Sequence, residues 1–240
     1  MAYRFHLERD ELADRLGGGL PKGALVVVEG EFGTGKSIIV QRVVYGLLKN
    51  SARVTYVSTE LTTLHFIEQM HTLDYAVEEH IFNRSLLFLP VYPVLGFRGK
   101  KTDLMDRLLN AKRMYDSDVV VIDAFSSIVK DWMRSLPPEV TQQEKTERIE
   151  DALYHFKLLN AKGKSVVLTF QPGDVPDDIA GVLKAAADAY LTCKIDSVGG
   201  VVSRSIFVRR FGRAEKPVAD IIPFRVEPKT GFIVEIKSVS

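Results

Sequence analysis

The 240-residue sequence contains one cysteine, Cys193. A disulfide framework within the chain is therefore excluded, and such sparing use of cysteine suits a reducing cytoplasm. Cys193 lies in the strand-like run Tyr190-Leu191-Thr192-Cys193 and reads as a small buried apolar residue rather than a nucleophile. No apolar run approaches the roughly 20 residues that cross a bilayer. The first residues, among them Arg4, His6, Glu8, Arg9, Asp10 and Glu11, are too charged for a secretory signal. No direct membrane insertion is expected, and a place at the membrane would need partner proteins. With a net charge of +1, there is no general pull toward nucleic acid or anionic lipid. The 5 histidines show no metal-ligand spacing, and no Ser/His/Asp arrangement stands out.

What is present is concentrated in eight residues, Gly30-Glu31-Phe32-Gly33-Thr34-Gly35-Lys36-Ser37. They match G-x4-G-K-[ST], a pattern expected by chance about 0.01 times in a chain of this composition. An apolar run, Ala24 to Val28, precedes them, and helix-periodic residues (Ile38, Ile39, Val43, Val44, Leu47, Leu48) follow. Strand, glycine loop and helix form the setting of a P-loop. The glycines let backbone N–H groups turn inward on an anion, and the helix start adds its positive dipole end. Lys36 then reaches the β- and γ-phosphates of ATP, and the Ser37 hydroxyl ligates Mg²⁺.

Along the chain, strands are expected at Arg53–Ser58, Leu86–Leu89, Val119–Asp123 and Ser165–Phe170. Helices are expected over an amphipathic stretch with Leu64, Ile67, Met70 and Leu73 on one side, over about Thr102–Met114, and over roughly Gln142–Asn160. Pro93, Gly96 and Gly99 mark a loop. Past Gln171 the spacing changes to strands without long helices, at 189–195, 201–211, 219–226 and 232–237. The expected fold is α/β: a RecA-like P-loop core with a mainly parallel, twisted central sheet flanked by helices, plus antiparallel C-terminal strands. No repeat or linker interrupts it, so residues 1–240 read as a single ATP-binding domain.

Asp123 ends an apolar strand expected next to the P-loop strand, which places its carboxylate against Mg²⁺ beside Ser37. Hydrolysis also needs a group that orients water. Many P-loop ATPases carry Glu directly after this Asp; here Ala124, Phe125, Ser126 and Ser127 follow. Glu60, at the end of the neighbouring strand, is the candidate catalytic carboxylate, with a first-turn helix carboxylate as the competing reading. Thr169 and Gln171 end the strand expected beyond Asp123, and Gln171 is the candidate for contact with the γ-phosphate. Arg209, Arg210 and Arg213 close a late strand, either as solvated charges or as arginine fingers reaching a neighbour's triphosphate.

These stretches together, Leu16 to Gly23 running into GEFGTGKS, then YVSTE, VVVIDAFSS and LTFQP, resemble the KaiC-like branch of the RecA superfamily. STELTT, FIEQM (Phe66 to Met70), HTLDY and VEEH narrow the resemblance to the FlaH-like archaellum motor proteins. That resemblance implies a RecA-like ATP-binding core with nucleotide at a subunit edge, in a homo-oligomer such as a hexameric ring. It makes Arg210 the nearest match to the basic residue that reaches the neighbouring subunit, with Arg213 next. Glu60 matches the first of two adjacent glutamates, and Leu61 replaces the second. It further implies firm ATP binding, weak or no hydrolysis, and docking on the archaellum motor ATPase beneath the membrane platform protein. The location implied is cytoplasmic, peripheral at the inner face of the membrane through those partners.

Two other functions compete. A DNA-dependent recombinase-type ATPase would need basic or flexible DNA-facing loops, whereas the segment after Gln171 is acidic (Asp174, Asp177, Asp178). No nucleic acid partner is expected. An active phosphotransferase would need an acceptor, which sequence does not identify.

Overall fold

The computed structural model describes residues 1–91, 104–198 and 201–235. The expected loop at Pro93, Gly96 and Gly99 lies outside the described residues, as does the end of the 232–237 segment. A short ribbon of β1 (Ala2–Tyr3) and β2 (Leu20–Pro21), with α1 (Leu12–Arg15) between them, leads into β3 (Leu25–Gly30). There follow α2 (Lys36–Lys49), β4 (Val54–Ser58), α3 (Thr63–Thr72), α4 (Glu78–Phe82) and β5 (Leu86–Pro90). Next come α5 (Leu104–Asn110), a 3-10 turn at Lys112–Asp116, β6 (Val119–Asp123), α6 (Phe125–Ser135), α7 (Gln142–Ala161) and β7 (Ser165–Phe170). The chain closes with α8 (Asp177–Ala186), β8 (Ala189–Val198), β9 (Val201–Phe211), β10 (Ile221–Glu227) and β11 (Gly231–Val234).

Nine strands form one sheet in the order β11-β10-β9-β8-β3-β7-β6-β4-β5. From β8 to β5 every pairing is parallel, and β9, β10 and β11 add antiparallel hairpins. β3, β4, β6 and β7 are buried along their whole length, the pattern of parallel strands covered on both faces. One core lies on the α2 and α3 side, with Val26, Val28, Val44, Tyr56 and Phe66. The other lies under α5 to α8, with Leu25, Val27, Trp132 and Phe156.

Two expectations are corrected. β7 stands between β3 and β6, so the Asp123 strand is not next to the P-loop strand, and Thr169 and Gln171 lie between them rather than beyond Asp123. Runs that are apolar on both faces suit any interior position, and only the crossovers decide their order. In α3 the buried residues are Phe66 and Met70, whereas Leu64 is 63% exposed. The helix turns Phe66 inward because its ring stacks on Phe88, 4.2 Å between centroids.

The first 23 residues are strapped to α2, the P-loop helix. Phe5 is buried, and its carbonyl passes so close to Gly46 that an added Cβ would stand 2.2 Å from it. Gly46→Ala gains about 1 kcal/mol of helix propensity. The forced displacement costs about 1–3 kcal/mol and should win. We expect the melting temperature to fall; a rise would show that the strap yields freely.

Candidate functional site

The glycine loop, Lys36, Ser37, Asp123, Glu60 and Gln171 lie at the C-terminal ends of β3, β7, β6 and β4. Directly after β3 the loop turns through Gly33 (φ +79°) and Gly35 (φ +92°), a region closed to most side chains. Gly30 has no room for a Cβ, which would meet Thr34 Oγ1 at 2.6 Å and the Cys193 carbonyl at 2.9 Å. Thr34 Oγ1 donates to the Glu31 carbonyl at 2.8 Å, and so does Lys36 Nζ at 2.9 Å, folding the lysine over the loop. Phe32 stands 83% exposed at the loop's apex. α2 begins with no side-chain cap and no acidic residue in its first turn. Its first N–H groups and dipole are thus available to a phosphate.

Ser37 Oγ donates to Asp123 Oδ1 at 3.2 Å, so a hydroxyl and a carboxylate meet where a P-loop holds Mg²⁺. Asp123 is itself held from two sides. Thr169 Oγ1 donates to Oδ1 at 2.5 Å and Tyr56 OH to Oδ2 at 2.6 Å. Burial, then the charge of Asp123, pushes the Tyr56 pKa well above its ordinary value, so this phenol stays protonated and remains a donor. Burial likewise pushes the Cys193 thiol up to about 12, which leaves it inert beside the loop. This donor set suits a triphosphate with its magnesium: Lys36 and the loop for phosphate, Ser37 and Asp123 for the metal.

Glu60 follows β4 with its side chain exposed. Its pKa is raised, first by desolvation where protein crowds the carboxyl, then by Asp123 and more weakly Asp174, against the pull of Lys36. It does not cap the next helix. Thr62 takes that role by accepting the His65 N–H, and α3 has no acid in its first turn. Leu61 packs against the core instead of facing the site. Gln171 follows β7 directly, its N–H donated to Ser126 Oγ at 3.1 Å.

The late arginines lie elsewhere. Register places Gly30 level with Cys193 and Ile206, and Val27 level with Tyr190 and Arg210. Because β9 runs antiparallel, its end points away from the protomer's own P-loop. Arg210 donates to the carbonyls of Ala185 and Ala187 at 3.2 and 2.7 Å, closing the end of α8. Arg213 donates to the carbonyls of Lys22 and Gly23 at 3.1 and 2.9 Å, and Arg209 lies over the Phe207 ring. The arginine beside the loop is Arg204, whose Nε approaches the Gly33 carbonyl at 3.4 Å.

The KaiC ATPase family model matches residues 10–238. The archaeal flagellar ATP-binding protein FlaH of Methanocaldococcus jannaschii is 33% identical over 237 residues, covering 99% of this chain and 97% of the relative. FlaH of Methanococcus voltae is 30% identical over 237 residues, with 99% and 98% covered. A crystal structure of the flagellar accessory protein FlaH from Methanocaldococcus jannaschii superimposes with a TM-score of 0.88 over 99% of this chain and 100% of that one, at 33% identity. The chain belongs to the FlaH group of the KaiC ATPase family.

In this FlaH-type chain, sequence reasoning missed Tyr56, Arg204 and the holding role of Thr169. Each is a polar residue of a strand, and only sheet order and register bring Tyr56 and Thr169 to Asp123 and Arg204 to the loop. A signal existed for Tyr56 alone: its hydroxyl needs a partner inside the otherwise apolar run VTYVS. Arg204 lies on the same strand as Arg209 and Arg210, nearer its start, and nothing local marks it out from them.

Proposed function

We propose that this chain is an ATP-binding component of the archaellum motor whose nucleotide state controls its oligomerisation and docking, with weak or no ATP hydrolysis. One observation carries the reading. Lys36, Ser37 and Asp123 are poised for Mg-ATP, while the positions that would supply a second catalytic carboxylate are Leu61, turned into the core, and Ala124, buried. Binding is provided for more fully than turnover. The FlaH relatives are described as archaeal flagellar ATP-binding proteins, which supports the cellular setting.

In this reading nucleotide acts by linkage, since a ligand that favours the assembled state must promote assembly. Arg210, with Arg213 as the alternate, supplies the contact to a neighbour's triphosphate in a hexameric ring. To do so Arg210 must leave the carbonyls of Ala185 and Ala187. Glu60 and Gln171 serve what hydrolysis there is. The ring engages the motor ATPase and the membrane platform protein at the inner face of the cell membrane. Among the described residues no helix is long and apolar enough to cross a membrane, so partners provide the attachment.

The test is a mass measurement of the purified chain with and without Mg-ATP, scored for both oligomer size and ADP formed. We expect ATP-dependent growth in mass with little product. Rapid ADP release with no change in mass would replace the switch by an ordinary ATPase.

A further inference from the structure

Ser126 and Lys130 lie one turn apart on α6, on one helix face, and both contact Asp174 in the loop between β7 and α8. Lys130 Nζ donates to Asp174 Oδ1 at 2.5 Å, and Ser126 Oγ donates to Oδ2 at 3.3 Å. The same Ser126 oxygen accepts the Gln171 N–H at 3.1 Å, and the Asp174 N–H donates to the Gln171 carbonyl at 3.3 Å. These bonds close a circuit around Gln171. The side chain of Asp174 is only 12% exposed, against 38% for Lys130. A surface ion pair of this kind would count for little. This one pins an irregular loop through a carboxylate that is nearly buried and bonded twice.

The circuit is anchored at the nucleotide end. α6 starts two residues after Asp123, so the segment that carries Ser126 and Lys130 also carries the carboxylate facing Ser37. Asp174 is close enough to Glu60 for its charge to be felt there. A triphosphate and a diphosphate share the P-loop contacts, and the third phosphate is met only by groups beyond the loop. In the proposed ATP site Gln171, which directly follows β7, is the candidate for that contact, and its backbone is held by the circuit.

We propose that Lys130, Asp174 and Ser126 form a latch that positions Gln171 and so lets the site tell a nucleoside triphosphate from a diphosphate. The inference rests on the ATP-site reading and adds to it three positioning residues.

Calorimetry on the full chain with Mg-ATP and with Mg-ADP tests it, using wild type, Lys130→Met, Asp174→Asn, Ser126→Ala and Lys130→Arg, each checked by thermal melt. Wild type should prefer Mg-ATP. Lys130→Met and Asp174→Asn should cut that preference about tenfold while leaving Mg-ADP affinity unchanged. Ser126→Ala, which only removes a buried hydroxyl and leaves a methyl side chain, should shift it the same way by about threefold. Lys130→Arg should keep it. Equal loss of both nucleotides, an unaltered preference in folded variants, or a wild type with no preference would overturn the latch. A wild type that binds neither nucleotide would overturn the ATP-site reading and the latch with it.

Discussion

Lys36→Ala should weaken Mg-ATP binding about 100-fold while leaving the fold intact. The amine donates to the Glu31 carbonyl, which also accepts from Thr34 Oγ1 and the Thr34 N–H, so removing it leaves that carbonyl satisfied. In the proposed site its charge-assisted contacts to two phosphates would contribute about 3 kcal/mol together, equivalent to about a 100-fold loss of affinity. Isothermal calorimetry measures the loss, and a melting curve within a degree or so of wild type shows that the fold survives. If oligomerisation follows nucleotide occupancy, light scattering on this variant should show no ATP-driven growth. Growth that persists without detectable binding would sever assembly from the P-loop. Retained binding would place the triphosphate somewhere other than the loop described here.

The second large effect lies away from the nucleotide. Asp10 and Arg42 form an ion pair with both side chains 0% exposed. Arg42 Nε donates to Asp10 Oδ2 at 2.5 Å, its Nη2 donates to Oδ1 at 2.6 Å, and its Nη1 donates to the Phe5 carbonyl at 2.9 Å. Asp10 Oδ1 also accepts the Leu12 N–H at 3.0 Å. The pair fastens the leading segment to the middle of the P-loop helix. Truncating Arg42 to Ala leaves a carboxylate buried without its counter-charge and a carbonyl without its donor, at a cost of about 3–5 kcal/mol. For a chain of this size that is a fall of about 10 °C in melting temperature.

Replacing both partners, Asp10→Leu with Arg42→Met, should recover much of the loss, because the larger part of the penalty is the orphaned charge rather than the missing attraction. Denaturant titrations of the two single variants and the double variant separate these terms. A single variant within 1 kcal/mol of wild type would mean that water reaches the pair. The functional consequence should be indirect: the P-loop lies a full turn and more from Arg42, so nucleotide affinity should change far less than stability.

The parts of the site that sequence revealed are those whose geometry is carried by neighbouring residues. GEFGTGKS defines its own turn, because positive φ at Gly33 and Gly35 and the helix start at Lys36 are all local. Strand limits such as Ser165–Phe170 and Val119–Asp123 were legible because doubly covered strands read as unbroken apolar runs. The expected limits of α7 lay close to those observed, and the structure shows the capping box of Thr141 and Glu144 that starts it. Leu64 misled because its spacing fits the helical period, while packing on Phe88 selects Phe66 instead. The place of the arginines relative to the loop was not legible, for a longer-range reason. The antiparallel return of β9 puts Arg210 at the far end and Arg204 near the loop.

By itself, then, the sequence determined that a phosphate-binding loop, a strand-end carboxylate and a parallel α/β core belong to one chain, since each is written in contiguous residues. Tertiary structure alone decided that β7 separates the loop strand from the Asp123 strand, and that Tyr56 and Thr169 hold that carboxylate. It alone decided which arginine faces the loop, and that Lys130 reaches across to the segment carrying Gln171. These depend on strand order and register, which arise from contacts between residues far apart in the chain and leave no periodic trace in it.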